Sequence, residues 1–307
     1  MNAALAVVAL ALAVPPVHAQ SMAPASAERQ HAPADGWAAQ QGGTRGGALA
    51  LPAHVYTVRN RAELVAALKA TAPARIVRVA ATIDMTEGRA FTDNADQARR
   101  GAVTIPSHTT LLGVAPGAGF VNASLIVSGV EQVIVRHLAI RNPCDITPQW
   151  DAHDGPQGNW NSDYDGITVR AARHVWIDHN SFTDAPDTDD RAPVENGKIK
   201  QCHDGALDIS QGADLVSVTY NHFAEHEKNM LIGAATAPAA TRTGCASRSR
   251  ATCSSTSPSA RRAYATARCT FSITIMWASA SDPSTVTTTA SAWDTRHWCA
   301  PTPMPSM

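Results

Sequence analysis

Two acidic stretches, "NSDYDGITV" (161–169) and "CHDGALDIS" (202–210), hold the residues best suited to chemistry. In the second, side chains alternate along a strand. This puts Asp204 and Asp208 on one face and turns Leu207 and Ile209 toward a core. Two carboxylates aimed outward repel each other unless a cation neutralises them. Asp165 opens the preceding repeat at the corresponding place and would stack close by. Three convergent carboxylates form a hard, oxygen-rich site suited to Ca²⁺. Three solvated turn aspartates would read the same way, and the residue types alone leave both readings open.

The elements that would position these acids form a repeat. "SLIVSGVEQVIVRHLAI" (124–140), "GITVRAARHVWIDHNSF" (166–182) and "ALDISQGADLVSVTYNHF" (206–223) each hold a short strand, a polar turn and a second strand. In the last two an Asn stands two residues before a Phe: Asn180 before Phe182, and Asn221 before Phe223. A short unit that cannot bury its own face implies a stacked solenoid. With no long helix between strands, the solenoid is a parallel β-helix, and asparagines stacked at one turn would bond to each other along its axis. A β-sandwich with similar strands is the competing architecture. Upstream, "VYTVRNRAELVAALKATA" (55–72) reads as a strand followed by a helix with Leu64, Ala67 and Leu68 on one face. "RIVRVAATI", "GAVTIP" and "TTLLGV" are strand-like in length and β-branched content.

The chain has 307 residues and a formal net charge of −1. That is long enough for one large domain, and the balance carries no basic excess that would point to nucleic acid. "MNAALAVVALALAVPPVHAQ" reads as a signal peptide, residues 1–19, with cleavage after Ala19 and export to the periplasm or beyond. It is too short to span a bilayer comfortably, and no other segment reads as a membrane span. Residues 20–50, rich in Ala, Gln, Gly and Ser, read as a flexible lead-in. Of the six cysteines, Cys144 and Cys202 could pair in an oxidising compartment, but sequence alone does not fix connectivity.

"YDGITVRAARHVWIDHNSF", "HDGALDISQGADLVSVTYNHF" and "HEKNMLIG", in that order, closely resemble the secreted pectate lyases of polysaccharide lyase family 1. The likeness runs from about residue 150 to 233 and more weakly back to about 55, giving a domain over 51–233. The resemblance implies a right-handed parallel β-helix, acting as a monomer on polygalacturonate (pectin) by Ca²⁺-dependent β-elimination. It implies Asp165, Asp204 and Asp208 as calcium ligands, Asp163 as a further acid used in some members, and Lys228 as the cation that holds a substrate carboxylate. It makes Asp178 and His179 structural. The chemistry suits these types: a cation and a lysine beside a uronate carboxylate stabilise the anion formed when the C5 proton leaves. The family's base is an arginine in an R-x-P-R-x-R stretch downstream of the lysine.

That stretch is missing, so no catalytic residue is assigned. After "LIG" the likeness stops, and residues 234–307 contain no Leu, Lys, Glu, Asn or Gln. A β-helix needs aliphatic residues in every coil, so the solenoid is expected to be truncated or disordered after about residue 233. Read one base out of register, the codons of this tail permit a family-like continuation that includes R-x-P-R-x-R, its first Arg codon straddling Ser259 and Ala260. The tail is therefore read as frame-shifted, and the chain as inactive or nearly so. Two rivals remain in view. One is a non-catalytic pectin-binding β-helix. The other is a polygalacturonase-type hydrolase with Asp204 and Asp208 as the paired carboxyl groups.

Overall fold

Runs of Val, Ile, Leu and Thr bounded by Gly, Asn and Asp favour short extended strands, and in the computed structural model of the chain they wind into a parallel β-helix. The structure describes residues 27–234. Beyond them it describes only the backbone of the strands Ala246–Ser254, Ala263–Ala265, Thr270–Ser279 and Asp282–Ala292. The expected signal peptide, residues 1–19, lies outside the described residues.

The strands stack on three sides, and each complete coil contributes one to each. The first side stacks Ala102–Thr104, Ser124–Ser128, Ile167–Arg170, Leu207–Ser210 and Met230–Ala234. The second stacks Val55–Val58, Arg75–Val79, Thr109–Gly113, Glu131–Arg136, Arg173–Asp178 and the start of Asp214–Ala224. The third stacks Thr82–Asp84, Gly119–Val121, Ala139–Arg141, Ser181–Thr183 and the end of Asp214–Ala224. Neighbouring strands run parallel. Ile167, Thr168 and Val169 lie beside Leu207, Asp208 and Ile209, and Val175 and Ile177 beside Val216 and Val218. The inward members, including Leu125, Ile167, Leu207, Val175 and Val216, form one continuous buried core.

At the turn into the third side, Asn180 Nδ2 donates to Asn221 Oδ1 at 2.9 Å, and Phe182 and Phe223 stack with centroids 4.7 Å apart. The first of these is the contact that the repeated asparagines predict. The helix read over 55–72 is present as Arg61–Lys69, capped by Asn60 and burying Leu64, Ala67 and Leu68. A second helix, Asn94–Gly101, was not foreseen. Its Asp93 side chain caps the Asp96 N–H, and Asp96 pairs with buried Arg100 at 2.8 Å.

One expectation needs correcting. From residue 27 the presumed flexible lead-in is a packed strap across the outside of the second side. Glu28 is buried against Arg78 at 2.9 Å. Gly47 N–H donates to Thr110 Oγ1 (2.9 Å), Arg45 N–H to Gln132 Oε1 (2.7 Å), and Ala38 N–H to Ser217 Oγ (2.9 Å), while Gln41 Oε1 accepts from Arg173 (3.1 Å). Ala38 packs on Ile134 and Trp176. Small residues let the strap lie flat on the sheet, so its composition imitates a linker. After residue 233, where the solenoid was expected to be truncated or disordered, the structure describes the backbone of isolated strands only. Ala246–Ser254 pairs in parallel with Asp214–Ala224, Ala263–Ala265 with Met230–Ala234, and Thr270–Ser279 with Ala246–Ser254. The physical reason is that an open parallel edge offers unpaired N–H and C=O groups to any extended chain. The last of these strands, Asp282–Ala292, pairs antiparallel with Thr270–Ser279.

Candidate calcium and uronate site

The side formed by Ile167–Arg170, Leu207–Ser210 and Met230–Ala234 carries the acids on its outer face. Leu207 and Ile209 are buried beneath, while Asp208 is only partly covered. The register that sets Thr168 beside Asp208 also brings Asp165 to Gly205. The Gly205 N–H donates to Asp165 Oδ1 at 3.0 Å, and Thr168 Oγ1 donates to Asp165 Oδ2 at 2.6 Å. Asp208 Oδ1 accepts from the Leu231 N–H at 2.9 Å. Both carboxylates crowd over Gly205, where a Cβ would lie 2.2 Å from Asp208 Oδ1 and 2.9 Å from Asp165 Oδ1. Only glycine fits there.

Asp204 differs in placement from the sequence reading. The strand starts at Leu207, so Asp204 stands in the loop before it rather than on a shared strand face. It still converges on the site. Its Oδ1 lies 3.3 Å from Lys228 Nζ, and both side chains are partly exposed. Asp163 is exposed, and its N–H donates to Asp145 Oδ2 at 2.6 Å.

Asp145 is the acid that sequence reasoning missed. It is buried, and its Oδ1 has no hydrogen-bond partner. The adjacent Cys144 forms a disulfide with Cys202, closing a 58-residue separation, and the Asp145 N–H donates to the Cys202 carbonyl at 2.7 Å. The bridge thus fastens the Asp145 segment to the loop carrying Asp204. A Cys directly before an Asp, with a second Cys two residues before Asp204, was the available signal.

Burial and mutual repulsion dominate the electrostatics of these acids. Burial, and then the charge of Asp204, push Asp165 up to about 7. Burial, and then Asp165, push Asp208 up to about 8. Burial raises Asp145 to about 6, with Asp163 and Asp204 adding to the effect. Bringing carboxylates together at this cost suits a hard cation. The donor set and the unpartnered Asp145 oxygen fit one.

A second buried group, Asp184, Asp189 and His203, has metal-like spacing. Its atoms are already matched, however. His203 Nδ1 lies 3.1 Å from Asp189 Oδ1, which also accepts from the Cys202 N–H. Asp184 takes Asn142 Nδ2 and His226 Nδ1.

The pectate lyase family model matches residues 10–252. This chain belongs to the pectate lyase family. Pectate lyase E of Dickeya chrysanthemi is 41% identical over 199 residues, which are 64% of this chain and 48% of that protein. The chain spans about half the length of the curated relatives it matches. Among solved structures, a mutant of the Bacillus subtilis pectate lyase superposes with a TM-score of 0.70 at 25% identity, over 83% of this chain and 82% of that one. A pectate lyase bound to a hexasaccharide superposes with a TM-score of 0.65 at 26% identity, over 80% and 81%.

Proposed function

We propose that this protein is built to bind Ca²⁺ and polygalacturonate as a β-eliminating pectate lyase, and that the chain as given binds without cutting. The observation that carries this reading is the set of raised, converging carboxyl groups of Asp165, Asp208 and Asp145, with Asp204 paired to Lys228 beside them. Asp165, Asp204 and Asp208 would hold the ion, with Asp163 and Asp145 at its edge. Bound there, Ca²⁺ supplies positive charge to stabilise the anion formed at a uronate carboxylate. Lys228, 3.3 Å from Asp204 at the solvent edge, binds and orients a neighbouring carboxylate. The polymer is met as a solvent-borne chain by a secreted monomer, with no part for nucleic acid or membrane. The Cys144–Cys202 disulfide supports an oxidising compartment, and no helix among the described residues is long and apolar enough to cross a membrane.

Proton removal from C5 needs a base within hydrogen-bond reach. The family arginine is absent in the printed frame, and the positions of its shifted codons, around Ser259 and Ala260, lie outside the described residues. We therefore read residues 234–307 as the product of a one-base shift near the codons for Gly233 and Ala234. The test is to express the chain as given and a version with the frame restored, and to follow unsaturated product with and without EDTA. Ca²⁺-dependent lyase activity only in the restored protein supports the reading. Equal activity in both refutes the inactivity of the given chain, and activity in neither refutes the frame shift as its cause.

A further inference from the structure

The geometry points to His226, backed by Asp184, as the positioning residue of Lys228: its Nε2–H fixes the Lys228 peptide, and thereby aims the ammonium. The inference rests on Lys228 acting as proposed above. Residues 225–229 connect the strand Asp214–Ala224 to Met230–Ala234, and the loop turns sharply, with Glu225 at φ +50°. The Lys228 carbonyl accepts two hydrogen bonds, from the Ala206 N–H at 3.1 Å and from His226 Nε2 at 2.8 Å. Behind the ring, His226 Nδ1 faces both oxygens of Asp184 at 2.7 Å. Asp184 is itself held by Asn142 Nδ2 at 2.8 Å. A backbone carbonyl oxygen only accepts, so the ring nitrogen that faces it, Nε2, is the donor.

His226 and Asp184 are both 1% exposed, whereas the Lys228–Asp204 pair is 27% and 35% exposed. A partly exposed ion pair does little to hold two flexible side chains in one geometry. The buried, charge-assisted bonds behind the lysine do far more. The ammonium is therefore aimed from its backbone and not by Asp204.

Two substitutions separate the halves of the ring. Gln at this site places a donor where Nε2 was, and Asn places one where Nδ1 was. In the full chain, H226N keeps the Asp184 contact and loses Lys228. Reductive methylation read by mass spectrometry should label Lys228 several-fold faster in H226N than in wild type. Affinity for a galacturonate oligomer in Ca²⁺ should fall about tenfold, the effect of losing one such bond. Affinity for Ca²⁺ alone should stay within about twofold. H226Q keeps the Lys228 bond but gives up the Asp184 contact, so it should lie between wild type and H226N in labelling and in oligomer affinity. Equal labelling in the two variants, or loss in H226Q and not in H226N, overturns the inference. Should the wild type bind no oligomer, the binding proposal fails while the labelling order still decides this one. If H226N does not fold, NMR of the wild type decides: a protonated, slowly exchanging His226 Nε2 supports the inference, and a bare Nε2 overturns it.

Discussion

Replacing Asp208 by Asn should stabilise the metal-free protein at pH 8, although it removes a site residue. Burial and Asp165 raise the Asp208 carboxyl from 3.8 to about 8. A shift of about four units corresponds to roughly 5 kcal/mol against ionisation at ~1.4 kcal/mol per unit. Asp165 shares this repulsion and relaxes in part when its neighbour is neutralised, so a gain of roughly 2–3 kcal/mol is expected. Asn retains an acceptor for the Leu231 N–H, so that hydrogen bond survives. The sign with pH follows from linkage. A carboxyl whose folded value is raised keeps its proton after the unfolded chain has lost its own. Wild-type stability therefore falls as pH rises from about 4 to about 8, and is level above that. At pH 4 the folded state is protonated and the unfolded state about half so, so the substitution should be nearly neutral. The assay is urea unfolding in EDTA at pH 4 and pH 8, repeated at pH 8 with Ca²⁺. Ca²⁺ should stabilise wild type and do little for D208N. If D208N is unchanged or less stable in EDTA at pH 8, the carboxylates do not crowd one another, and the physical basis of the cation site falls.

Three further outcomes follow from the same geometry. Because Asp165 and Asp208 are raised to about 7 and about 8, Ca²⁺ binding at pH 6 should release protons and weaken as pH falls; calorimetry in buffers of different ionisation enthalpy reads both, and binding without proton release would contradict the shifts. Removing the Cys144–Cys202 bridge, which closes a 58-residue separation, should cost about 4 kcal/mol by loop entropy and weaken Ca²⁺ binding, since it fastens Asp145 to the Asp204 loop; unchanged affinity in the folded double Ser variant would deny it that second role. Asn221→Ala should cost roughly 2–4 kcal/mol in denaturant unfolding, because the buried Asn180 N–H and Nδ2 both donate to Asn221 Oδ1; a loss below about 1 kcal/mol would show that the ladder contributes little.

What could be read from sequence was what repeats or alternates. Asn180 and Asn221 announce their ladder because both precede Phe by two residues. Leu64, Ala67 and Leu68 announce a helix because one face must be apolar. Asp165, Asp204 and Asp208 converge because each stands at the mouth of a coil. The strap over 27–50 was illegible because it docks through backbone N–H groups and a buried alanine, and those contacts leave no periodic trace. The helix Asn94–Gly101 buries Asp96, Gln97 and Arg100, so a search for apolar faces passes over it. Asp145 belongs to an earlier coil than the acids it joins, and only the paired cysteines connect the two in the chain. Asp204 was set on the wrong element because alternation was extended past the real start of the strand.

The strap's contacts also fix the number of coils. Residues 47, 45, 41 and 38 engage, in that order, Thr110, Gln132, Arg173 and Ser217, which stand on successive strands of the second side. A segment of fixed length reads off four rungs as a tape measure would. Solenoids ordinarily gain or lose a repeat by duplication, since each repeat touches only its neighbours. Here, adding a rung between Thr110 and Ser217 would move Ser217 about 4.8 Å beyond the reach of Ala38 and unseat Gln41 or Arg45. Variation in coil number is thereby confined to the part of the stack that the strap does not cover.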